Sequence, residues 1–145
     1  MTRSNRMKTI IGLTNNEKED AARQLAESQQ LLEQSVKQLA DMKQARVDYA
    51  EQLSGTGQAP KTASGMLGLR TFIQQLDVAI QQLELQLNER TKASEHRKKL
   101  WTKLHNKTNA LTGIKDRYHK EEQKVVEHRE QFEADELSQR KGNKK

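Results

Sequence analysis

From Leu69 to Phe132 the chain keeps one heptad register without a break. Steps of seven give Leu69, Leu76, Leu83, Arg90, Arg97, Leu104, Leu111, Tyr118, Val125 and Phe132, here called d. The positions four residues further on, called a, are Ile73, Ile80, Leu87, Ser94, Trp101, Thr108, Lys115, Glu122 and Arg129. Alternating steps of four and three stay on one side of a helix only when that helix supercoils around a partner. The intervening residues are mostly Gln, Glu, Lys and Asn, so no second apolar stripe competes to be the core. The stretch reads as one coiled-coil helix of about 100 Å at about 1.5 Å per residue.

Composition agrees with a fibrous rather than a globular chain. Of 145 residues, 32% are apolar and 32% charged, too little apolar side chain for a globular core. The absence of cysteine removes disulfides, thiolate chemistry and thiolate zinc sites, and makes the cytoplasm the default compartment. Residues 1–16 carry Arg3, Arg6 and Lys8, but their apolar residues, Met7, Ile10, Ile11 and Leu13, are too few and interrupted for a signal peptide or a membrane span.

In chain order, a first helix is predicted over about 16–53. Its seam is Leu25, Leu32, Leu39, Arg46 and Leu53, interleaved with Ser28, Ser35, Met42 and Tyr49. Two serines and an arginine make this seam thin, so the helix depends on a partner. Residues 54–68 hold four of the seven glycines and the only proline, which reads as a loop. A loop this short folds the chain back. With Leu53 opposite Leu69 at the turn, Leu39 falls level with Leu83 and Leu25 with Arg97. The expected fold is therefore all-α: an elongated, antiparallel two-helix coiled-coil hairpin forming a single domain. Its second helix spans about 69–137 and a disordered basic tail occupies 138–145. The last third of the second helix either pairs with residues 1–16 or stands alone. Gly113, costing about 1 kcal/mol relative to alanine in a helix, marks either a bend or a tolerated surface position.

Little in the sequence can carry catalysis. Gly55, Pro60, Lys61 and Thr62 approach a phosphate-binding loop, but proline replaces the second glycine and no strand precedes it. His96, His105, His119 and His128 are nine, fourteen and nine residues apart. No two of them are i and i+4 neighbours that could chelate a metal, and they read as solvated. Abundant carboxylates have no cavity in a two-helix hairpin to shift their pKa. Neither an enzyme site, a cofactor nor a metal is expected. The densest basic cluster, Arg97, Lys98, Lys99, Lys103 and Lys107 with Trp101 among them, fits a patch for a polyanion or an acidic partner. The register offers an internal alternative, because Glu17, Glu19 and Asp20 fall level with it.

The two flanks of the seam differ more sharply. Antiparallel pairing puts the g positions of both helices on one side: Gln24, Leu31, Gln38, Ala45 and Gln52 with Phe72, Ala79, Gln86, Ala93 and Leu100. None is charged. The e positions opposite are Ala22, Gln29, Val36, Lys43 and Ala50 with Arg70, Asp77, Glu84, Thr91 and Lys98, of which five are charged. A solvated coiled coil normally carries charge on both flanks. The uncharged side is either a seam widened to a third position or a docking face centred on Phe72, bounded by Tyr49 and Leu76.

Several runs in order, Glu17 to Arg23, Leu39 to Tyr49, the glycine-containing loop and above all Phe72 to Ile80, resemble FliJ, a family of small components of the bacterial flagellar type III export apparatus. The resemblance spans nearly the whole chain. It implies an antiparallel two-helix coiled coil, similar to the central stalk of rotary ATPases, that is not an enzyme. The implied partners are the export ATPase hexamer and its regulator, the membrane export gate protein FlhA, and export chaperones. No nucleic acid is expected, and the cell membrane is reached only through partners at the flagellar base. The family's gate-docking surface maps onto Gln38, Met42, Ala45, Tyr49, Phe72, Leu76, Ala79 and Leu83, the first seven on the g flank or on d positions beside it. Ala45 stands where the family pattern has an aromatic, and Leu83 where it has a polar residue. The chain ends, residues 1–16 and those beyond about Thr108, would enter the ATPase ring. The equivalent stalk of an injectisome, and a basic coiled coil that binds nucleic acid or anionic membrane, are the alternative readings.

Overall fold

A computed structural model describes residues 2–55 and 62–142. Two helices account for nearly all of them: α1, Arg3–Leu53, and α2, Ala63–Gly142. The expected all-α antiparallel hairpin is what they form.

Both helices are longer than the seam pattern suggested, and caps explain why. At the start of α1, Thr2 Oγ1 accepts a hydrogen bond from the Asn5 amide at 3.3 Å, satisfying one of the amides that a helix start leaves unpaired. At the start of α2, Thr62 Oγ1 does the same for Gly65 at 3.1 Å, so Gly65 and Gly68 lie within the helix rather than in the loop. α1 ends where Gly55 takes a φ of +84°, a left-handed conformation that glycine adopts without penalty. The stretch between Gly55 and Thr62 that resembles a phosphate loop falls largely outside the described residues. α2 continues into the segment expected to be a disordered tail, reaching Gly142. It also passes through Gly113 as continuous helix, with open space around that exposed position.

The residues group into two compact units, residues 21–100 and a second unit of 1–20 with 101–145. In the first, α1 and α2 pair in the anticipated register. Tyr49 meets Phe72, Arg46 meets Asp77, Ser35 meets Arg90 and Gln24 meets Arg97, each within about one helical turn of it. Buried here are Leu39, Ile73, Leu76 and Ile80. Further from the turn the seam changes character. Ser35 is fully enclosed, and Arg90 reaches across to donate to its Oγ and to the Leu31 carbonyl at 3.1 Å. The serines that made the α1 seam look thin thus lie level with the arginines of α2 and leave them room.

In the second unit, 3–20 of α1 pairs with α2 through Glu122. Ser4, Ile11 and Lys18, with Met7 and Thr14, continue the α1 seam back by the same steps of seven, and all are buried or half-buried. The buried side chains Ser4, Thr14 and Thr108 are polar. Thr14 and Thr108 return their hydroxyls to the carbonyls of Ile10 and Leu104, at 3.0 and 2.8 Å. Glu122, on an a position, accepts from the Ser4 amide at 3.1 Å and the Ser4 hydroxyl at 2.6 Å, while Arg3 lies 5.7 Å from the centre of the Tyr118 ring. These hydrogen bonds hold the Glu122 carboxyl below its ordinary pKa. From Gln123 to Gly142 every side chain is exposed, Val125 and Phe132 included. The heptad pattern therefore outlasts the pairing.

Candidate functional site

The uncharged flank of the first unit is built from both helices. Phe72, one residue before the buried Ile73, is 40% exposed against 8% for its neighbour, as g and a positions require. Tyr49 holds it edge-on, with ring centres 4.9 Å apart and planes at 78°, a favoured aromatic arrangement. Further along, Gln38, Asp41, Met42, Ala45 and Leu83 line a groove of about 380 Å³. Met42 and Leu83 also line its neighbour, together with Ala79, Gln82, Leu85, Gln86 and Glu89.

Seven of the eight anticipated docking positions, Gln38, Met42, Ala45, Tyr49, Phe72, Ala79 and Leu83, are thus exposed or half-exposed along one side of the helix pair. Leu76 differs: it is buried in the seam and supports the face from beneath rather than bordering it. Ala45, with its small side chain, opens the groove where an aromatic would fill it. Beyond the groove, Arg90 and Arg97 emerge from the seam toward Leu31 and Gln24, which are g residues. The flank is uncharged in its own residues but receives guanidinium groups from d positions at its far end. Counting g positions alone could not reveal this; the signal was arginine on a seam opposite serine.

On the e flank three of the five charges, Lys43, Asp77 and Glu84, are used within the chain. Lys43 pairs with Glu84 at 3.4 Å, and the Arg46 guanidinium beside Asp77 holds that carboxyl below its ordinary pKa.

The basic cluster does not find the internal match that the register offered. Arg97 bonds to Gln24 rather than to a carboxylate. Lys98 and Lys99 in the first unit, and Lys103 and Lys107 in the second, are exposed and form no ion pair with a described residue. Within the second unit the reason is angular: Lys103, Glu19 and Asp20 all occupy outward heptad positions, where being level does not bring side chains together. Among the histidines, His96, His119 and His128 are exposed. His105 is half-buried, its ring stacked 5.0 Å from that of Trp101, with its Nδ1 enclosed and without a hydrogen-bond partner. Among the described residues no group of three or more His, Asp or Glu could hold a metal ion, and no helix is long and apolar enough to cross a membrane.

Compared with known protein families, the chain matches the model of the flagellar FliJ protein over residues 3–145. The chain belongs to the FliJ family. Its role is accordingly in flagellar biogenesis and type III protein export, in a family of non-catalytic export stalks and adaptors. No curated protein and no solved structure matches it.

Proposed function

We propose that this FliJ-family chain is a non-enzymatic stalk and adaptor of the flagellar export apparatus that docks to the export gate protein FlhA through the uncharged flank of residues 21–100. The observation that carries this reading is Phe72, a large aromatic left 40% exposed beside a groove on a flank without charges of its own. Partly exposed aromatics that fill a partner's pocket concentrate binding energy. The unit of 1–20 with 101–145 is assigned to the export ATPase hexamer and its regulator, at the inner face of the cell membrane, and export chaperones are the remaining partners.

The test pairs melting curves with binding isotherms against the cytoplasmic domain of FlhA. Phe72→Ala is expected to leave the hairpin folded and weaken binding by about tenfold or more. If it destabilises the hairpin as much as Ile73→Ala does while affinity per folded molecule is unchanged, the flank is only a widened seam. Removal of residues 1–16 together with those after Gln131 is expected to abolish stimulation of ATPase turnover and spare binding to FlhA. Equal loss of both activities would merge the two sites into one.

A further inference from the structure

Three arginines sit on the seam of residues 21–100, and the fold treats them differently. Arg46, on α1, turns its Nε and Nη2 onto the two carboxylate oxygens of Asp77. That edge of a guanidinium presents two parallel N–H groups, which match a carboxylate in a bidentate fork. Arg90 and Arg97, one heptad apart on α2, make no such pair. Each is tied to α1 through Nη1 alone, Arg90 to the Leu31 carbonyl and the Ser35 hydroxyl, Arg97 to the Gln24 side chain. Their Nε and Nη2 have no acceptor among the described residues. Both arginines are half-buried, and Leu31 and Leu100 lie exposed on the same flank.

We infer that Arg90 and Arg97 form a binding site for an acidic amphipathic helix of a protein partner, which sets one carboxylate on each guanidinium. The pairing of Arg46 with Asp77 shows what a seam arginine of this chain takes when a carboxylate is within reach, and Arg90 and Arg97 hold the same edge unused. Anchoring through Nη1 fixes each guanidinium in advance, so less side-chain freedom is lost on binding. Their separation along α2 is about 10 Å, which a second helix matches with glutamates or aspartates seven residues apart. Leu31 and Leu100 offer that helix apolar surface to cover, from which a sugar-phosphate backbone would gain nothing. Glu27 and Glu89, at c positions bordering the flank, bond to neither arginine and would repel a continuous run of negative charge. The site thus favours two spaced carboxylates over a polyanion. It lies about 27 Å along α2 from Phe72 and shares no residue with the proposed gate-docking positions, so it does not rest on that reading.

The test titrates the whole chain with a helical peptide that carries two glutamates seven residues apart and leucines on the face between them, read by the Nε–Hε NMR signals of the arginines. Those of Arg90 and Arg97 are expected to shift together, while that of Arg46, already held by Asp77, stays in place. Replacing both glutamates of the peptide by glutamine should weaken binding at least about tenfold, because charge-assisted hydrogen bonds are lost. Arg97→Lys and Arg90→Lys keep the charge and remove the fork, and each variant that retains the native melting curve should weaken binding by a similar factor. Unmoved signals of Arg90 and Arg97 overturn the proposal, as does an equal response to the glutamine peptide or to a DNA duplex at the same charge concentration. Full affinity in a folded lysine variant overturns it too.

Discussion

In residues 21–100 the buried side chains are Leu39, Ile73, Leu76 and Ile80 together with Ala21, Ser35 and Ser94, whereas among the described residues of the unit of 1–20 with 101–145 they are the polar Ser4, Thr14 and Thr108 alone. Both units obey one heptad spacing, yet different physics holds them. The first removes branched aliphatic surface from water, which stabilises by about 25 cal/mol per Å². The second buries the hydroxyls of Thr14 and Thr108, already satisfied by their own helices, and that of Ser4, satisfied across the pair by Glu122, and adds a carboxylate at a helix N-terminus and a cation beside an aromatic ring. Regular spacing thus fixes where a seam runs, and the side chains on it decide how firmly it closes. The unit with aliphatic residues supplies a rigid face; the one with hydroxyls is expected to open more readily.

The largest effect that could break this contrast is at Ile73. Ile73→Ala should cost about 2 kcal/mol or more in a denaturant melt, because a buried branched side chain is lost. A loss no greater than that of Phe72→Ala would show that the aliphatic seam is not the stronger one. Next in size, Ser35→Leu should destabilise by about 1–3 kcal/mol despite adding apolar surface, since Ser35 is enclosed beneath Arg90. Arg90→Ala should remove much of that penalty, and a double-mutant cycle with no coupling would refute the pairing. In the second unit, Gly113→Ala should stabilise by about 1 kcal/mol, since the position is exposed, helical and open. If native-state hydrogen exchange around 101–122 does not slow, that stretch is not limited by helix stability.

The smallest effect is electrostatic. Glu122 has a folded pKa below its ordinary 4.5, so its contact with Ser4 stabilises above that value and is lost as pH falls through the lowered folded pKa. Amides of residues 3–20 should therefore lose protection earlier than those of 21–53 as the solution is acidified. Glu122→Gln should bring that loss to neutral pH. Equal protection of both segments would erase the distinction between the units.

The fold was legible where apolar residues marked the spacing. Leu69 to Leu87 and Leu25 to Leu53 define two helices, and the glycines near residue 55 define the return. What escaped notice was written in polar residues. Extending the α1 seam backward by sevens gives Lys18, Ile11 and Ser4, and the buried Ser4 and Thr14 are satisfied by Glu122 and the Ile10 carbonyl. The end of pairing at Glu122 follows from the register once α1 is carried back to Arg3, but Val125 and Phe132 keep the apolar spacing beyond it with no described residue to cover them. Of the candidate docking positions, exposure of Phe72 followed from its heptad letter. Burial of Leu76 did too, once d was treated as core rather than as border. The groove beside Ala45 depends on side chains of two helices at once, which no single heptad encodes.

The arginine that crosses the seam has a mechanical consequence. Sliding α1 by one heptad against α2 in one direction would bring Arg90 level with Met42, burying a guanidinium without its serine and carbonyl partners. Sliding it the other way would bring Arg46 level with Arg70 in place of Asp77. An all-leucine seam would tolerate either slip at modest loss, whereas here both directions strand a cation. Residues 21–100 should therefore resist shear along the helix axis. The two halves of the groove, one on each helix, would then stay aligned when a load is applied to one helix alone.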